Sequence, residues 1–269
     1  MPESLPRYVH GHHESVLRSH RWRTAANSAA YLLPHLHPGL QLLDVGCGPG
    51  TITIDLAARV APGDVTGIDA AGSPLEAARV DAAAADVGNV TFQVADAMAL
   101  PFEDASFDVV HAHQVLQHVP DPVGMLREMR RVCRPGGLIA ARDSDYAAMT
   151  WHPADPALTE WLALYEVTAR ASGGEPDAGR RLLAWAHQAG LTDVAASASA
   201  WCFATDGDRA WWGGLWSDRA TKSTFAEQAL AHGLADQADL DRIAAAWRRW
   251  SVEPDGWFAI LHGEILCRM

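Results

Sequence analysis

The run Asp44-Val45-Gly46-Cys47-Gly48-Pro49-Gly50 is where residue types and spacing best suit chemistry. Glycines let a backbone turn tightly and come close to a ligand. A helix opening directly after such a bend aims free N–H groups and its positive dipole end at that ligand. Asp69 stands nineteen residues beyond Gly50, at the end of the next apolar run. In nucleotide-binding α/β folds that spacing sets a carboxylate against a ribose diol. Two details separate the expected ligand from a dinucleotide. The glycine spacing is GxGxG, whereas the dinucleotide fingerprint is GxGxxG. Asp44 also stands two residues before Gly46. A carboxylate there suits an ammonium group and would repel a pyrophosphate. The pattern therefore favours a sulfonium nucleoside that carries an amino acid. The plainer alternative is a strand-to-helix turn with no ligand.

Other residues admit two readings each. Asp69 and Asp96 are either ligand acceptors or ordinary strand-end acids. His111 and His113 share one side of a strand, and His118 follows closely. Histidine ordinarily titrates in the range that suits a general base, which makes His113 a candidate, but a metal site would need further ligands, and none is visible. Tyr8, His10, His12, His13, His20, Arg21 and Arg23 form either a solvated helix face or a lid over the ligand. In the lid reading Arg23 or Tyr8 lies near the ligand's carboxylate. Asp143, Asp145 and Tyr146 follow the fifth strand, where open α/β sheets bind ligands. Asp143 is thus a second candidate for orienting or deprotonating a substrate. Trp151, Trp211, Trp212 and Trp216 either line an apolar pocket or pack as core. Trp185, Trp247 and Trp250 sit at helical spacing and read as core. Cys47 reads as a small filler, because no base neighbours it.

The elements that must position these groups alternate regularly. Strands are expected at Gln41–Val45, Val65–Asp69, Val90–Val94, Phe107–Ala112 and Leu138–Ala141. Helices are expected over Thr51–Val60, from Ser73-Pro74 with Glu76 completing a capping box, and from Asp121-Pro122 to about Arg134. This order predicts a doubly wound, mostly parallel α/β sheet. Residues 1–38 read as a helical arm or lid, 39–150 as the ligand-binding core, and 151–269 as a helical cap with two more strands, Val194–Phe203 and Trp257–Cys267. Helices fill Asp155–Ala171, Asp177–Ala189 and most of 207–254. Ten of the eleven tryptophans lie from Trp151 onward, which marks the change of texture.

Bulk properties narrow the partners. The 269 residues carry a net charge of −12, spread along the chain. Nucleic acid and anionic membranes need clustered Lys and Arg, so neither is expected as a partner. The four cysteines are far apart, as in a reduced cytoplasmic protein. No apolar run reaches membrane-spanning length and no signal peptide is visible. A monomer or homodimer is expected.

Further motifs tie these features together: Gly67-Ile68-Asp69, Asp96-Ala97 before Leu100-Pro101-Phe102, Phe107-Asp108-Val109-Val110, Leu116-Gln117-His118-Val119, Leu126-Arg127-Glu128, and Arg134-Pro135-Gly136-Gly137. With the glycine bend, the chain resembles the class I S-adenosylmethionine-dependent methyltransferases, in particular the ubiquinone/menaquinone branch. The resemblance implies a Rossmann-like, seven-stranded sheet with one reversed strand. It implies S-adenosyl-L-methionine as cofactor and a small molecule or short peptide as methyl acceptor. Gly46, Gly48 and Gly50 would face the methionine part, with Cys47 beside them. Asp69, followed by Ala70, would hold the ribose hydroxyls. Asp96 would accept from the adenine amino group, with Ala97 against the ring. His113 and Gln114 would lie beside the transferring methyl, and Tyr8, His118, Tyr146, Trp151 and Trp212 would border the acceptor. A non-catalytic binding protein and an NAD-dependent oxidoreductase are the alternatives. The second is disfavoured by the glycine spacing and by the single lysine, Lys222.

Overall fold

Apolar runs too short for a helix, and cut off by glycine or an acid, become the buried strands. The computed structural model describes residues 19–269. Leu42–Val45 (β1) is buried at every position. It runs parallel to Val65–Asp69 (β2) on one side and Phe107–His113 (β4) on the other. Val90–Val94 (β3) adds outside β2, and Cys133–His152 (β5) adds outside β4. Trp257–Arg268 (β7) lies antiparallel to β5 and to the edge strand Asp193–Phe203 (β6). The order β3-β2-β1-β4-β5-β7-β6 is the expected seven-stranded, mostly parallel sheet with one reversed strand.

The helices follow their caps. Ala25–Ser28 (α1) is a single turn closed by a Thr24/Asn27 capping box. Thr51–Val60 (α2) starts from Gly50 and buries Ile52, Ile54, Leu56 and Val60. Gly72–Ala84 (α3) opens two residues earlier than the Ser73-Pro74 signal suggests, with Ala71 at the N-cap and no side-chain cap, so the expected Ser73/Glu76 capping box does not form. The Asp69 carboxylate accepts the Ala71 N–H at 2.9 Å and ends the turn there. Pro74 falls in the first turn, where a missing N–H costs no helical hydrogen bond. Pro122–Val132 (α4) begins at Asp121, whose carboxylate accepts the Gly124 N–H. Pro156–Ala171 (α5) and Ala178–Gln188 (α6) match expectation. Asp206–Lys222 (α7), Thr224–Ala231 (α8) and Gln237–Trp250 (α9) fill the cap.

β5 is far longer than the four residues its apolar run suggests. β4 pairs with it only to Arg142, but β7 pairs with it from Leu138 to His152. A reversed neighbour thus extends the strand beyond the parallel sheet. Asp143, Asp145 and Tyr146 therefore lie within a strand, not in a loop after it. The strand also crosses the expected border at residue 150, so one sheet joins both parts.

The tryptophans of the cap form a core around Trp161. Its ring lies 4.5 Å from Trp216 and 4.8 Å from Trp247, between centroids, and it is fully buried. Its indole N–H has no hydrogen-bond partner. Trp161→Ala is expected to cost about 3–5 kcal/mol in urea unfolding. Trp161→Phe should cost clearly less, because no hydrogen bond is lost.

Candidate active site

The chain reverses its direction of winding between β1 and β4, and ligands bind beyond the strand ends at such a point. A cleft of about 400 Å³ opens there. Asp44, Gly46, Cys47, Gly48, Asp69, Ala70, Asp96, Ala97, His113, Gln114 and Arg23 all line it. Gly50 does not. It caps α2 with φ 77°, and a Cβ there would come within 2.7 Å of Ala78 and 2.9 Å of Phe92. Its role is packing between α2, α3 and β3.

The bend is held by carboxylates. Asp69 accepts the Gly48 N–H at 2.9 Å on its other oxygen, so this one side chain fixes both the glycine bend and the start of α3. Asp44 is almost fully buried. It accepts from Thr53 Oγ1 at 2.6 Å, and its other oxygen lies 2.7 Å from His111 Nδ1. Asp44 therefore anchors β1 to α2 and β4 as well as lining the cleft. Asp96 accepts the Met98 N–H at 2.8 Å. Burial, followed by Asp44 and Asp69, raises the Cys47 thiol well above its usual range, which keeps it protonated and unreactive.

Beside this cleft lies a second, small cavity of about 20 Å³ that Gln114 also lines. The second cavity is walled by Tyr146, Met149, Trp201, Trp211, Trp212 and Ile260, with Arg219 and Ser144. His20, Arg23 and Gln114 border both spaces. Arg23 Nη2 donates to Gln114 Oε1 at 2.6 Å. The segment carrying Arg23 is tied down by Trp201 Nε1, which donates to Asn27 O, and by Trp22 packed edge-on against Trp201. It is a series of short turns, not one continuous helix. Tyr8, His10, His12 and His13 lie outside the described residues.

Several expected site residues stand elsewhere. Trp151 lines neither space, because it pairs opposite Phe258 and stacks on that ring at 5.9 Å. His118 borders the larger cleft and not the aromatic cavity. Burial, followed by Arg23, pushes its pKa down to about 3. His113 lines the cleft, but burial, Arg23 and Arg142 hold it well below the usual imidazole range. An imidazole in that state is a weak proton acceptor at neutral pH. Trp212 and Tyr146 do border the aromatic cavity.

Asp143 lies in neither space. It is fully buried in β5, accepting the Gln117 N–H at 3.3 Å. Burial raises its pKa from 3.8 to about 7. Between those values the unfolded chain has lost this proton while the folded chain keeps it. Raising the pH through that window therefore favours unfolding. The stability of the parent relative to Asp143→Asn is expected to fall from about pH 4 to pH 7 and then level off. Unfolding midpoints of both proteins across that range check this.

A methyltransferase domain family matches residues 36–212. An uncharacterized methyltransferase of Schizosaccharomyces pombe is 33% identical over 269 residues, covering 96% of this chain and 95% of that protein. The chain belongs to the methyltransferase domain family. A demethylmenaquinone methyltransferase of Staphylococcus aureus is 41% identical over 128 residues, 47% of this chain and 50% of that protein. The solved YcgJ protein of Bacillus subtilis shares the fold, with a TM-score of 0.58 and 21% identity over 89% of this chain and 96% of that one.

The sequence motifs do not point to several of the side chains that line these two spaces. Thr51, Met98 and Val115 line the cleft, and Trp201 and Arg219 line the aromatic cavity. His262 on β7 lies 2.9 Å from Gln114, 148 residues away in sequence. No local spacing signals a contact across that distance. Among the described residues no three His, Cys, Asp or Glu side chains come together as a metal set. No helix among them is long and apolar enough to cross a membrane.

Proposed function

We propose that this methyltransferase binds S-adenosyl-L-methionine in the cleft. We propose further that it moves the methyl group to an oxygen, nitrogen or carbon of a small, partly apolar molecule or short peptide that approaches from the aromatic side of Gln114. The observation that carries this reading is the shared wall. Three residues, His20, Arg23 and Gln114, stand between a glycine-floored acidic cleft and a space walled by aromatic rings.

The residues present fit such a donor. A Cβ on Gly48 would meet only His20 Nδ1, at 3.8 Å, so that face of the bend is open to a ligand. Asp69 keeps lone pairs for ribose hydroxyls beyond its two N–H contacts. Asp96, exposed at the cleft rim, suits the adenine amino group, with Ala97 against the ring. The negative charge of Asp44 favours the donor's ammonium, and Arg23 suits its carboxylate. When bound, the donor supplies a methyl already activated on a positively charged sulfur.

What remains for the protein is alignment and the exclusion of water. Gln114 and His113 border the place where donor and acceptor meet. Residues 39–150 serve as the donor core and 151–269 as the acceptor cap, and the described part of the N-terminal arm brings His20 and Arg23 to both spaces. The acidic chain supports a small acceptor over nucleic acid. Incubation with methyl-labelled donor and a panel of small molecules, peptides and nucleic acids tests this. Label should appear in a small acceptor together with S-adenosylhomocysteine. Label confined to nucleic acid would contradict it.

A further inference from the structure

Gln114 ends β4 in the left-handed region, with φ 54°, and donates its backbone N–H to Arg142 O at 2.7 Å. A non-glycine residue held there persists only when its surroundings over-determine it, and such residues cluster at functional sites. The side chain is equally constrained. A guanidinium only donates, so the amide oxygen must face Arg23 and the amide NH₂ must face away. What lies on that side is His262 Nε2, at 2.9 Å. An NH₂ group also only donates, so Nε2 must present a lone pair. The ring proton then sits on Nδ1, which has Ile260 O as acceptor at 3.2 Å. Every polarity along Arg23, Gln114, His262 and Ile260 follows from the first.

His262 is fully buried and borders neither cavity. Its ring is wedged 4.4 Å from Trp201 and 6.2 Å from His113, between centroids. Burial holds it neutral, with Arg142 and Arg23 acting in the same direction. A neutral ring is what the lone pair requires.

We propose that His262 is a positioning residue for methyl transfer: its Nε2 lone pair fixes the Gln114 amide on the wall between donor cleft and acceptor cavity. This rests on the reading of the two spaces given above. Without an acceptor at position 262 only the Arg23 contact to the amide oxygen remains, and the NH₂ end of the amide can swing about it. A misplacement of about 1 Å at a reacting centre costs about 100-fold in rate.

His262→Leu is expected to lower kcat about 10- to 100-fold while donor affinity stays within about threefold of the parent. His262→Gln returns an amide oxygen to the Nε2 position and should recover most of the rate. A Leu variant as fast as the parent, or a Gln variant as slow as the Leu variant, overturns the proposal. Long-range nitrogen–proton spectra of the histidine rings in the unaltered protein decide the matter even if the variants misfold. His262 should show a protonated Nδ1 and a bare Nε2, and the opposite tautomer overturns the assignment. Failure of the parent to bind S-adenosyl-L-methionine in calorimetry would remove the donor reading and leave this tautomer result standing.

Discussion

Asp69→Ala is expected to weaken binding of S-adenosyl-L-methionine by about 100-fold or more. Hydrogen bonds to a charged group contribute about 1.5–3 kcal/mol each, and each 1.4 kcal/mol is tenfold in affinity. Losing the contacts to two ribose hydroxyls therefore accounts for about 3–6 kcal/mol. The same carboxylate also holds the N–H groups of Gly48 and Ala71, both at 2.9 Å. Its removal loosens the glycine bend and the start of α3 together, so the free protein is also less ready to bind. Asp69→Asn keeps one amide oxygen and should fall between parent and Ala variant. Calorimetric titration of the three proteins reads the effect, and unfolding curves separate it from loss of structure. An Ala variant within about threefold of the parent would remove Asp69 from the donor site.

Gly48→Val is expected to abolish donor binding while leaving the protein folded. The three glycines of the bend differ in what surrounds them. A Cβ on Gly46 would run into the Val115 side chain, and one on Gly50 into Ala78 and Phe92. A Cβ on Gly48 meets only His20 Nδ1, at 3.8 Å. The branched side chain would project into the cleft, where the proposed donor lies. At φ 54° it also strains the backbone, by about 1–2 kcal/mol. Gly48→Val should thus lose that modest stability and at least about 100-fold in donor affinity. Gly46→Ala should instead lose stability first, because its clash is internal. Equal donor affinity in parent and Gly48→Val would place the ligand elsewhere.

The lining of the cleft is legible in the sequence because its signals are local. A bend needs glycine, a helix start needs a cap, and Asp69 ends the strand that follows. Each of these is written within about thirty residues, as in βαβ units generally. The strand ends of β2 and β3 and the bounds of α2 matched residue by residue for the same reason. Gly50 looked equivalent to its neighbours in sequence. Only the packing of Ala78 and Phe92 against it shows a different role. β5 was underestimated because its length is set by β7, more than a hundred residues later. For that reason Asp143 reads in the sequence as a substrate-facing acid beyond the strand end, and the pairing buries it instead. Trp151 and Trp212 looked alike as candidates, yet strand register turns Trp151 onto Phe258 and helix α7 brings Trp212 to the cavity wall. The acceptor side depends on such long-range pairings. His262 is its extreme case, a histidine with no motif around it that meets Gln114 only after the sheet has formed.

The central claim is that an acid-braced glycine bend holds a positively charged nucleoside amino acid. Calorimetry on the intact chain with S-adenosyl-L-methionine, S-adenosyl-L-homocysteine and NAD in turn tests it most directly. Saturable one-to-one binding of the first two, in mutual competition, with no heat from NAD, is the predicted result. No saturable binding of either sulfur compound, or tighter binding of NAD, would contradict it.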